Sequence, residues 1–111
     1  MPNQSLAIDR VFQGLADSTR RAVIERLSRG SAAVSELKRP FPMALPSFMQ
    51  HLDVLEECGL VTSRKAGRIR TYQLAPRKLR VASTWLDRQR LHWEKRLDQL
   101  DAYLLELKEK R

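Results

Sequence analysis

Between Pro46 and Glu57 the chain reads PSFMQHLDVLEE, and at 100° per residue its polar and apolar side chains fall on different sides. Phe48, Leu52 and Leu55 share one face. Ser47, Gln50, Asp53, Val54 and Glu57 share the other, with His51 and Met49 on the flanks. A buried helix has no use for Ser47, Gln50 and His51 exposed together in its N-terminal half, whereas a helix laid into a DNA major groove does. A glutamine amide bonds bidentately to adenine, and a serine hydroxyl suits a base edge or a phosphate. An exposed Val54 would touch a thymine methyl group or a sugar. Close behind follow seven cations, Arg64, Lys65, Arg68, Arg70, Arg77, Lys78 and Arg80, with no carboxylate among them. Clustered guanidinium and ammonium groups neutralise phosphates. The chemistry on offer is recognition of base edges and of the nucleic-acid backbone.

Those residues need elements to hold them. Pro46 suits the first turn of a helix, where its missing N–H had no intrahelical partner, and Gly59 suits the stop, so the reading helix spans about Ala44 to Cys58. Before it, Val34–Lys38 predicts a short helix stopped by Pro40 and Pro42, with Phe41 plugging the turn; the two helices form a helix-turn-helix. After it, Leu60–Lys65 and Arg68–Leu74 predict a hairpin about Ala66-Gly67, in which Tyr72 and Leu74 face the core and Arg68 stands nearest the tip. A first helix is expected from Leu6 to Leu15, after a loose start over Met1–Ser5. A second is capped by Asp17 or Ser18 and ends at Gly30. Arg20 and Arg21 sit in its first turn, where cations oppose the helix dipole, so contact with a phosphate or an acidic neighbour stands beside simple solvation.

Pro76 opens the last helix, expected over Arg77–Lys108. Leu79, Leu86, Trp93, Leu100 and Leu107 hold one heptad position and Leu97 and Leu104 the other, cleanest from Trp93 onward. A helix that long outruns a domain of 111 residues, so a second copy is the economical partner for Leu86, Trp93, Leu97, Leu100, Leu104 and Leu107. The expected division is residues 1–75 for the DNA-binding part and 76–111 for the dimerisation helix, within one compact domain.

Composition bounds the function. The formal net charge is +8, which fits a nucleic-acid binder. No apolar run is long enough for a membrane span, and Met1–Leu6 lacks the pattern of a signal peptide, so a cytoplasmic protein is expected. Cys58 is the single cysteine and there are two histidines, which leaves no disulfide, no paired-thiolate metal site and little acid–base chemistry. No phosphate-binding glycine loop or catalytic triad order is present, so no enzyme, cofactor or metal is expected. The residues name no effector ligand.

Together, LADSTRRAVIERLSRG at Leu15–Gly30, QHLDVLEECGLV at Gln50–Val61 and the following SRKAGRIRTYQL resemble the ArsR/SmtB-type winged helix-turn-helix repressors over roughly residues 8–75. The resemblance implies a mainly α fold with a small β-hairpin, a homodimer formed through terminal helices, and repression from a palindromic double-stranded operator. Metal-sensing members carry a cysteine motif in the helix before the reader; the matching Val34–Lys38 has neither cysteine nor histidine, which implies a member without that site. Family serines are replaced here by Ala44 and Met49, which weakens the helix cap and shifts base readout onto Ser47, Gln50 and His51. The rival expectation is a dimeric protein-interaction module on the same scaffold that does not bind DNA; seven cations without a carboxylate argue against it.

Overall fold

In the computed structural model, residues 4–110 are described. The order is α1 (Gln4–Leu15), α2 (Ser18–Leu27), β1 (Ala32–Ala33), α3 (Val34–Lys38), α4 (Leu45–Glu57), β2 (Val61–Ala66), β3 (Ile69–Leu74) and α5 (Pro76–Glu109). The fold is mainly helical, with a small antiparallel sheet and one long C-terminal helix. Helix α1 already includes Gln4 and Ser5, which were expected in a loose start; Met1–Asn3, the rest of that expectation, lie outside the described residues.

Each helix end has a local cause. Asp17 has extended backbone and its carboxylate accepts the N–H of Arg20 at 3.0 Å, which starts α2. Helix α3 has no capping side chain at Ala33, but the Glu36 carboxylate accepts the Ala33 N–H at 3.2 Å. Helix α4 closes on Gly59 at φ +78°, with the N–H of Leu60 donating to the Leu55 carbonyl and that of Gly59 to the Glu56 carbonyl, both at 3.0 Å. This 6→1 and 5→2 pair needs a left-handed residue, which glycine supplies without strain.

The core lies under α4. Phe48, Leu52 and Leu55 on its inner face are fully buried with Val11 of α1, Val23 and Leu27 of α2, Leu37 of α3, Leu60, Val61 and Tyr72. Phe41 stacks on Phe48 with ring centroids 5.4 Å apart, which fixes the turn between α3 and α4. Helix α1 crosses the C-terminal corner of α4 so closely that a Cβ on Gly14 would stand 2.7 Å from Leu60 Cδ1. Cys58 is buried beside Gly14 and serves packing.

The sheet has the order β1–β3–β2. Strands β2 and β3 pair from Val61↔Leu74 to Ala66↔Ile69, and β1 pairs with β3 through Ala32↔Tyr72 and Ala33↔Thr71. Two points differ from the sequence expectation. β1 was not foreseen, because two residues carry no period. The hairpin turn is Gly67-Arg68, with Gly67 at φ +63°, so Arg68 belongs to the turn and not to the strand. Helix α5 has 34 residues, about 51 Å at 1.5 Å per residue, in a molecule with extents of 74 × 37 × 22 Å.

Candidate nucleic-acid interface

Burial of Phe48, Leu52 and Leu55 leaves the opposite face of α4 outward, and Ser47, Gln50 and Asp53 stand exposed on it. Val54 corrects the sequence expectation: it is half-buried and packs against the core with Met49, so only its edge reaches solvent. Exposed Asp53 adds a group the sequence placed on this face without a role, and a carboxylate there accepts from a cytosine amino group. The cap at Ala44 makes no side-chain hydrogen bond. The first N–H groups of α4, beside Pro46, are therefore open to an anion such as a phosphate.

His51 has a neighbour within the fold. Its Nδ1 lies 3.5 Å from the Asp17 carboxylate, so the reading helix touches the cap of α2. The backbone N–H of Arg20 holds the Asp17 carboxyl below its ordinary 3.8; burial opposes this and the charge of His51 assists it. His51 nevertheless keeps part of its ring exposed beside Gln50.

The arginines of α2 have an internal task that the sequence did not show. Arg20 Nε donates to the Gly14 carbonyl at 2.8 Å and its Nη2 to that of Gln13 at 3.0 Å, while Arg21 Nη1 donates to Leu15 at 2.7 Å. These are the last carbonyls of α1. The two cations oppose the dipole of their own helix but complement that of α1. No sequence pattern signals this, because the acceptors belong to another helix.

On the wing, Arg64, Lys65 and Arg68 are exposed and surround the tip. Arg70 is half-buried and turned back: its Nη1 donates to Ser63 Oγ at 2.8 Å, and Ser63 donates to Glu56 Oε2 at 3.0 Å. That chain ties the hairpin to the last turns of α4, so helix and wing present one continuous surface. Among the described residues no group of three His, Cys, Asp or Glu is placed to hold a metal ion, and no helix is long and apolar enough to cross a membrane.

A reading helix with an open N-terminal half, held beside a cationic hairpin, defines a winged helix-turn-helix DNA-binding protein. Residues 15–64 match the helix-turn-helix domain family. Over 80 residues the chain is 51% identical to the HTH-type transcriptional regulator Rv2034 of Mycobacterium tuberculosis, covering 72% of this chain and 75% of that protein. The crystal structure of an ArsR family transcriptional regulator superposes with a TM-score of 0.77 at 47% identity, covering 85% of this chain and 97% of that one. A possible ArsR-family regulator from Mycobacterium bovis, solved as a homodimeric winged helix-turn-helix DNA-binding domain, gives 0.60 at 27% identity, over 80% of this chain and 81% of that one. The chain belongs to the ArsR family of transcriptional regulators. It is a sequence-specific DNA-binding transcriptional regulator.

Proposed function

We propose that the protein is a cytoplasmic homodimeric repressor that occupies a palindromic operator, one α4 in the major groove of each half-site. The observation that carries this is the outward N-terminal half of α4 beside a wing whose exposed side chains are cationic. Ser47, Gln50 and His51 are the groups proposed to reach base edges, with Val54 reduced to an edge contact. Arg64, Lys65 and Arg68 meet phosphate or the minor groove, and Arg20, Arg21 and Arg70 add charge through the donors their internal bonds leave free. The dimer follows from the apolar residues left open along α5, in accord with the homodimeric Mycobacterium bovis relative. Residues 4–75 form the DNA-binding part in this scheme and α5 the dimerisation helix.

The test compares Gln50→Ala with Arg68→Ala on operator and scrambled duplexes at several salt concentrations. Loss of Gln50 should cost about 1–3 kcal/mol per contact on operator DNA and leave non-specific binding nearly unchanged. Loss of Arg68 should weaken all duplexes alike and lower the salt slope by about 1 per contact, doubled if both subunits engage. If neither variant changes DNA affinity, a protein-interaction role becomes the better account of the surface.

A further inference from the structure

The reading helix carries the sign opposite to the rest of the molecule. In a chain of net charge +8, α4 holds Asp53, Glu56 and Glu57 and neither lysine nor arginine. All three carboxylates are exposed. Glu56 is engaged by the Ser63 hydroxyl at 3.0 Å and belongs to the tie between helix and wing. Glu57 ends the helix, on the turn farthest from Pro46. Asp53 is different. It stands in the middle of the outward face and, among the described residues, has no ion pair and no side-chain hydrogen bond.

Its place relative to Gln50 is set by the helix. Three residues turn the side chain by 300°, so Asp53 lies about 60° around the axis from Gln50 and about 4.5 Å further along it. Successive bases of one strand rise by about 3.4 Å, so Asp53 faces the base pair next to the one that Gln50 meets. Burial raises the pKa of the Tyr72 phenol, and the charges of Glu56 and Asp53 add to this while Arg70 opposes it. Asp53 therefore stands on the wing side of the face, close to the hairpin.

A carboxylate can only accept hydrogen bonds. The donors in a major groove are the amino groups of cytosine and adenine; guanine offers two acceptors, and thymine an acceptor and a methyl group. Adenine sets its N7 acceptor beside the amino group, whereas cytosine presents the amino group alone. Cytosine is thus the base that suits Asp53. We propose that Asp53 is a specificity-determining residue that accepts from a cytosine amino group beside the base met by Gln50, and that it disfavours every duplex lacking cytosine there. This rests on the placing of α4 in the major groove proposed above. The wing cations hold any duplex by its phosphates. At a wrong site the carboxylate is left without a donor among like charges, so selection comes from rejection as much as from attraction.

Asp53→Asn, Asp53→Ala and Gln50→Ala should be compared by selection from randomised duplexes, then by titration on the selected and a scrambled sequence. Wild type should select cytosine at one position of each half-site. Asparagine bonds bidentately to adenine, so Asp53→Asn should move that position to adenine, and Asp53→Ala should leave it without preference. Both should bind the scrambled duplex about three- to tenfold more tightly than wild type. N4-methylcytosine at the selected position keeps its base pair but loses the amino hydrogen that points into the groove. Wild-type affinity for that duplex should fall about tenfold, and that of Asp53→Ala should not change. The near-isosteric Asp53→Asn decides the matter if Asp53→Ala lacks a cooperative thermal transition. If Gln50→Ala alters the selected sequence and neither change at Asp53 does, Asp53 is a solvated surface charge and the reading helix stands. If none of the three alters it, α4 is not the reader and both proposals fall. Weaker binding of the scrambled duplex by Asp53→Asn overturns the rejection.

Discussion

The two ends of this chain treat leucine in opposite ways. In the body, Leu37, Leu52, Leu55 and Leu60 are sealed among α1, α2, α4 and the sheet. Along the distal half of α5, Leu91, Leu97, Leu100, Leu104 and Leu105 stand with half or more of their surface open, Trp93 with 61%. Burying a leucine side chain stabilises by about 1.5–3 kcal/mol, so the body has collected that contribution within one subunit and the distal helix has not. The body closes its apolar side chains within one subunit, and the distal helix leaves its own open.

Glutamate at both Leu100 and Leu104 should break the comparison most sharply. Four charges per dimer would replace four apolar contacts, and the expected result in sedimentation is a monomer at micromolar concentration. Affinity for a palindromic site should fall about 100-fold or more as the linked second half-site is lost. The body should keep its cooperative thermal transition. A variant that stays dimeric would place the contact elsewhere on the molecule.

Phe48→Ala tests the other side. Phe48 is fully buried under Phe41 and α4, so truncation should lower unfolding free energy by about 3–5 kcal/mol, measured by urea titration below the temperature of collapse. While the body remains folded, the dimer dissociation constant should be unchanged. Coupled loss of both would mean that the two regions fold as one unit.

Much of this division was legible in the residues. The faces of α4, its stop at Gly59, the short helix Val34–Lys38 and the long last helix opened by Pro76 all follow from period and from glycine or proline chemistry, which are local. What escaped depends on distant partners. The strand at Ala32–Ala33 exists because Tyr72 and Thr71 offer it a ladder. Arg20 and Arg21 serve carbonyls of α1, and Arg70 serves Ser63. Val54 lost its expected exposure because neighbouring elements reach around the flank of α4. A helical projection marks which side faces out, but not how far the next element overlaps that side.

The smallest effect expected is at Asp17. Its carboxylate caps α2 and lies beside His51, and Asp17→Ala should cost about 1 kcal/mol of stability at pH 7. Because the folded pKa lies below the ordinary 3.8, the charged form contributes its stability above that value. The contribution is lost as pH falls through the lower, folded pKa. The gap between wild type and variant in urea titrations should therefore narrow below about pH 4. A gap that stays constant down to pH 2 would show that packing, and not the charge, carries the cap.

The strand order has a consequence for how the regulator meets duplexes of differing shape. Because β1 clamps β3 at Tyr72 and Thr71, the hairpin is anchored at its base, and the rungs from Arg64↔Thr71 to Ala66↔Ile69 project past the core. The wing is thus a cantilever of adjustable length. Two residues added to each strand would keep every side chain on its present face and carry the tip about 7 Å farther. The core would not be disturbed, since no fully buried side chain lies beyond Tyr72 toward the tip. The DNA footprint of such a variant should widen at both outer edges while the central contacts of α4 stay in place.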